Sequence, residues 1–354
     1  MSSSSTSSSE PHEHDAMSRL PASAQARTLL VVAVASVALL AGWEWHLRGG
    51  DATRFPKTDA QMAAARVRKP AADGKARLFL FGSSRAQFGI SPAVLEQELG
   101  NEFEIRHAAV PHGNGPGQMH ACMDWFRKGE VVVVECFPRA VYRNERDIPD
   151  AEMAAHMTHY GISAWEEELN GAIRERLMFA RGDTSPSEEM RVAAHRASGT
   201  TGARNAEANL PKATTVHEDG WRECLSGFDE ERAMLTVEAW REVMLSGPHD
   251  SMDLVLRRTR DDVRELEQRG VTVLFLRMPS AGLQAADEER EFPRAQYWAR
   301  MEREFPGRCW HYADFEATRG LATFDNSHLT GPSARKYSRW LGARLRHFLE
   351  TNRR

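Results

Sequence analysis

The chain has 354 residues, 41% of them hydrophobic, and a formal net charge of −4. That length and apolar content are enough for one large domain or two small ones with a real core. The slightly acidic balance, with no basic stripe, argues against nucleic acid as the main partner, because a phosphate backbone is held by clustered Lys and Arg.

Residues 1–27 are polar and Ser-rich, with too little apolar surface to offset the entropy of ordering, and read as a disordered tail. Residues 28–46 contain an uncharged apolar run ending near Trp43 and Trp45, at the short end of what crosses a bilayer, and read as an uncleaved transmembrane anchor. A cleaved signal segment and a buried helix are the other two readings of such a run. Arg19 and Arg27 before it and Arg48, Arg54 and Lys57 after it leave the orientation undecided by charge. Residues 47–75 read as a linker.

From residue 76 the pattern is α/β and continues to about residue 350. Arg77–Phe81, Phe103–Val110, Glu130–Phe137 and Val271–Arg277 read as strands, the third being the clearest central one. Between them come a helix from Ser91 to Leu99, with Pro92 at its first position, and another from Gly117 to Phe126. Strands alternating with helices imply a mostly parallel sheet with helices on both faces, a three-layer α/β/α arrangement with ligands at the strands' carboxyl ends. Residues 144–229 break the alternation and read as a helical and loop insertion, a lid or side wall. Within it, His217–Trp221 is a candidate to return to the site, although an acidic and aromatic cluster of this kind also suits a solvated turn.

The four cysteines, Cys122, Cys136, Cys224 and Cys309, have no metal spacing and read as buried thiols or at most one or two bridges. His156 and His159 lie three apart, but no third ligand is placed with them, so no metal and no cofactor is expected.

Two segments carry chemistry. The first strand runs into Gly82–Ser83–Ser84–Arg85, a turn that leaves two hydroxyls at the edge of the sheet. Far downstream, Phe324–Asp325–Asn326–Ser327–His328–Leu329 supplies a carboxylate and an imidazole three positions apart, just before an amphipathic C-terminal helix. Ser, Asp and His are the parts of an acyl-transfer site. Taken singly, each segment is also what a helix cap or an anion-binding turn looks like.

In these two segments the chain resembles the SGNH (GDSL-like) hydrolases and acyltransferases, whose first block is Gly-Asp-Ser and whose last is Asp-x-x-His. The match implies Ser84 as nucleophile, with Ser83 in place of the usual aspartate, and His328 and Asp325 as base and orienting acid. It also implies a flavodoxin-like SGNH fold. The loop Val110–Pro116 resembles the family's second block, whose glycine amide serves the oxyanion. Gly113 is the first match there and Gly115 its rival. The family's third donor, an asparagine, is missing after the next strand, where Asn114 or Arg139 would have to replace it. Arg277, at a strand's carboxyl end, is a candidate for an anionic substrate group and equally for an ion pair with a carboxylate of the insertion.

The resemblance implies a serine esterase or O-acyltransferase acting on acyl groups, expected to be acetyl, of a cell-envelope glycan. The catalytic domain is expected outside the cytoplasm, on the periplasmic side, tethered to the membrane, with envelope proteins as further partners. The alternative is an inactive relative that binds glycans or assembles an envelope complex.

Overall fold

The computed structural model describes residues 22–48, 59–72, 75–100, 102–142, 214–224 and 252–352, with isolated positions at 153–155, 157, 169, 173 and 177. The chain divides into two compact units. One is Met1–Pro56 with Leu169–Ala193, and the other is Lys57–Glu168 with Ala194–Arg354.

The first unit contains helix α1, Ala22–Arg48, whose stretch Ala24–Trp45 is 22 residues long and apolar enough to cross a membrane. At about 1.5 Å per residue this matches the hydrocarbon thickness of a bilayer, and a signal sequence near an N-terminus has the same composition. Its Leu29, Val31, Val34, Val37 and Leu39 are exposed.

The second unit is built on a five-stranded sheet. Its strands are β1 (Ala76–Phe81), β2 (Phe103–His107), β3 (Val131–Glu135), β6 (Thr272–Arg277) and β7 (Cys309–His311), in the order β2-β1-β3-β6-β7. Every pairing is parallel. The order reverses at β1 and β3, and this is the topological switch point at which open α/β sheets bind ligands beyond the strands' carboxyl ends.

Alternation within the strands supplies both cores. Phe79 and Phe81, Val132 and Val134, and Val273 and Phe275 face one layer. There they meet α2 (Asp59–Arg68), α5 (Gly115–Ala121), α7 (Met252–Gln268) and α9 (Trp298–Glu304) through Val67, Met119, Leu256 and Met301. Leu78 and Leu80, Val131 and Val133, and Leu274 and Leu276 face the other layer. These pack on α4 (Pro92–Glu98) and α10 (Gly331–Asn352), through Leu95, Tyr337, Leu341 and Leu345. Between α4 and α10, Ser338 Oγ accepts from the Ser91 amide at 2.8 Å.

The expected linker 47–75 contains α2, which belongs to the folded unit. Ala60, Ala63, Ala64 and Val67 are buried, Arg77 donates to the Val67 carbonyl at 3.0 Å, and Arg222 pairs with Asp59 at 2.8 Å. An alanine-rich helix buries little area per residue, so its apolar pattern is weak in sequence.

Of the insertion, the described part includes the hairpin β4 (Thr214–Val216) and β5 (Arg222–Cys224). The helical piece at 163–180 falls outside the described residues apart from isolated positions, and His156, His159 and the Gly/Thr-rich stretch at 198–206 lie outside them altogether. All four cysteines are free thiols, and Cys122, Cys136 and Cys224 are buried.

Candidate active site

The site is built from three carboxyl-edge segments, each shaped by local chemistry. After β1 the chain turns at Gly82, whose φ of 149° suits glycine, and a Cβ there would lie 2.6 Å from Glu135 Cβ. Gln118 holds this residue on both sides, accepting from its amide at 2.8 Å and donating to its carbonyl at 3.2 Å. Ser83 then caps α3 (Ser84–Gly89), its hydroxyl oxygen accepting from the Arg85 amide at 3.2 Å. The same hydroxyl donates to Glu135 Oε2 at 2.8 Å, and the Ser83 amide reaches that oxygen at 2.8 Å. Ser83 is therefore directed at the end of β3, while Ser84, half-buried, opens the helix.

The second segment is the loop 323–329, pinned by the bridge between Thr323 and Leu329. Within it, Asp325 Oδ1 accepts the amides of Ser327 at 3.0 Å and His328 at 2.7 Å, and Asn326 takes a left-handed φ of 64°. This local turn fixes the carboxylate so that Oδ2 lies 2.6 Å from His328 Nδ1. A carboxylate can only accept, so Nδ1 carries the proton and Nε2 is left as an acceptor. Ser84 Oγ lies 2.8 Å from Nε2. The turn by itself offers both Ser83 and Ser84 and the family resemblance implies Ser84; it is Ser84 that faces the imidazole.

Burial alone would raise the Asp325 carboxyl, but the adjacent His328, its hydrogen bond and the two amides outweigh this and hold it below the ordinary aspartate value. Phe324 stacks on the His328 ring at 5.5 Å and Phe88 flanks it at 5.1 Å, so the imidazole has aromatic walls. The hairpin supports that wall. Trp221 Nε1 donates to the Phe88 carbonyl at 3.1 Å, and Cys224 packs with Phe88 and Phe324. His217 stacks on Trp221 and bonds Glu223, so the cluster at 217–221 braces α3.

The third segment, after β2, differs from its expected use. The Gly113 amide donates to the Val110 carbonyl at 3.0 Å and closes a turn through His112, so this amide is already engaged. Gly113 needs to be glycine for a different reason: a Cβ would collide with Gln118 Nε2 and lie 2.6 Å from the Gly82 carbonyl. Gly115 begins α5, where a Cβ would collide with the Glu135 carbonyl. Asn114 caps that helix, its carboxamide oxygen accepting from the Gly117 amide at 3.4 Å.

Both candidate arginines are buried in ion pairs and lie outside the hydrogen-bonded set around Ser84. Arg277 pairs with Glu288 and donates to the Met278 carbonyl at 3.1 Å, and Arg139 pairs with Glu291 at 3.1 Å. A strand-end cation looks like a ligand anchor in sequence because its carboxylate partner lies on a different element.

Glu135, Gln118, Arg85 and Glu288 were not singled out in sequence. Glu135 had a signal: it is an acidic residue closing the strand Val131–Glu135, every position of which is buried. Its Oε1 has no hydrogen-bond partner among the described residues, and burial raises its carboxyl above the ordinary value despite Ser83, Arg85 and Arg277. Among the described residues, no group of His, Cys, Asp and Glu is placed to hold a metal ion.

No family model and no curated protein sequence matches this chain. Among solved structures it is similar to the crystal structure of the protein YXIM from Bacillus subtilis, at a TM-score of 0.35 and 10% identity. That match covers 78% of this chain and 58% of the other, so this chain spans little more than half of the neighbour's length.

Proposed function

We propose that this chain is an SGNH-like serine esterase or O-acyltransferase, anchored in the membrane by α1, that acts on acetyl or similar acyl groups of a cell-envelope glycan. The observation that carries the reading is the hydrogen-bond chain Asp325–His328–Ser84, at 2.6 and 2.8 Å, at the switch point of a parallel sheet. The substrate class and the extracytoplasmic placement rest on the family resemblance alone.

In this reading His328 Nε2 takes the Ser84 proton as Oγ attacks the ester carbonyl. The Ser84 amide, at the first turn of α3 where backbone donors have no intrahelical partner, and the NH2 end of Asn114 are assigned to the oxyanion. As the intermediate collapses, His328 returns the proton to the departing alcohol and the acyl group stays on Ser84. Water or a sugar hydroxyl, deprotonated by His328, then attacks the acyl-enzyme, and as the bond from the acyl carbon to Ser84 Oγ breaks, His328 returns that proton to Oγ, releasing the acid or the new ester. Asp325 holds the tautomer and stabilises the imidazolium in both halves.

The alternative, a glycan-binding or envelope-assembly protein that keeps the cleft without turnover, is favoured by the engaged Gly113 amide. The full chain in detergent, treated with a serine-directed phosphonate and a generic acetyl ester, distinguishes the two. The enzyme reading expects adduct on Ser84 and ester turnover, and acetyl transfer to an added sugar faster than to water if the chain is a transferase. A protein that binds glycans but neither labels nor turns over ester overturns it.

A further inference from the structure

The sequence neighbours of the two reacting side chains are themselves bonded. Arg85 follows Ser84, Ser327 precedes His328, and Arg85 Nε donates to the Ser327 hydroxyl at 3.0 Å. Arg85 therefore joins α3 to the histidine loop through a bond that involves none of the reacting atoms.

The remainder of the guanidinium is fixed. Nη1 donates to Glu288 Oε2 at 3.2 Å, Nη2 pairs with Oε1, and the group lies over the Phe137 ring at 4.5 Å. Glu288, on α8 (Gly282–Glu291), is anchored in turn by Arg277, by Ser280 Oγ at 3.0 Å and by Gln284 Nε2 at 2.7 Å. Arg85 and Glu288 are both almost fully buried. A forked guanidinium–carboxylate pair sets the plane of the arginine, so the direction of its Nε–H is set as well. The ion pair therefore fixes where Ser327 sits, and with it the backbone that carries His328. A point-charge ammonium at the same position would keep the attraction to Glu288 but not the fork and the third arm together.

We propose that Arg85 is a positioning residue for acyl transfer. Anchored on Glu288, it holds Ser327 and thereby keeps His328 Nε2 at hydrogen-bond distance from Ser84 Oγ. This rests on the serine-hydrolase reading above.

The test uses the full chain in detergent with 15N-labelled histidine, and the variants Arg85→Lys, Ser327→Ala and the double variant. Each single variant should lower kcat for a generic acetyl ester by about 10- to 100-fold with KM unchanged, the scale expected of slight misplacement. The double variant should be no worse than the poorer single one, because both changes break one linkage. The His328 Nε2 resonance, assigned with His328→Gln, should shift in both singles at a temperature where circular dichroism shows each variant folded, although Ser327→Ala should melt somewhat lower because the buried Arg85 Nε–H loses its acceptor. Losses that multiply in the double variant, or a wild-type kcat and resonance in Ser327→Ala, overturn the inference. If the wild type neither labels nor turns over ester, the hydrolase reading fails by that result, and the His328 resonance alone then decides whether Arg85 positions the ring.

Discussion

The Ser83 hydroxyl donates to Glu135 Oε2 at 2.8 Å, which turns the side chain beside Ser84 into the sheet and leaves Ser84 alone to meet His328. Two adjacent serines thereby face different partners, one the buried end of β3 and one the imidazole.

Replacing each serine separates the two contacts. Ser84→Ala should abolish phosphonate labelling and lower ester turnover by about 10³-fold or more. Ser83→Ala should keep the label but unfold about 1–3 kcal/mol more easily, since a buried carboxyl loses a donor. Mass spectrometry of the adduct and urea denaturation read the two outcomes.

Asp325→Asn should lower kcat by about 10⁴-fold. The carboxamide can keep its oxygen on the Ser327 and His328 amides, but its NH2 would then face Nδ1 and force the wrong tautomer. Steady-state kinetics with the acetyl ester check this, with circular dichroism to confirm folding.

Glu135 gives a pH signature of definite sign. Its folded carboxyl titrates above the ordinary value because of burial, so the folded state binds more protons than the unfolded one. Its contribution is fully present below the unfolded value and is lost as pH rises through the folded one. Glu135→Gln removes that loss, so the stability of the variant relative to wild type should increase across this window. Paired urea titrations from pH 4 to 8 measure the difference.

Glu288 has the opposite sign. Burial penalises its charge, but the charges of Arg85 and Arg277 and the hydrogen bonds from Arg85 and Gln284 outweigh this and hold the carboxyl far below the ordinary range. Its stabilisation is present above the unfolded value and is lost as pH falls toward the folded one. Glu288→Ala should cost about 3–5 kcal/mol near neutral pH, because two buried guanidiniums lose their common partner. Thermal unfolding of the purified variant tests this.

Truncation locates the start of the folded unit. Deleting residues 1–48 should leave the sheet domain folded and soluble, whereas deleting 1–75 should also strip α2 and expose the surface that Ala63, Ala64 and Val67 cover. Comparing the melting temperatures of the two proteins separates the cases.

The central strands were legible in sequence because a parallel strand buried on both faces is a near-continuous apolar run, as in Val131–Val134. The Asp325–His328 turn was legible for a related reason: its carboxylate, amides and imidazole lie within four residues, and local chemistry closes it. The three-residue β7 and the alanine-rich α2 gave too little periodic signal. What remained depended on partners distant in sequence. Glu135 lies 52 residues from Ser83 and decides which serine is turned inward. Glu288 lies 203 residues from Arg85 and, with Arg277 also on it, turns a candidate substrate anchor into part of a buried ion-pair hub. A side chain's residue type and local turn are written in the sequence; whether its charge is free to meet a ligand depends on which opposite charge the sheet brings beside it, and the tertiary structure alone decides that.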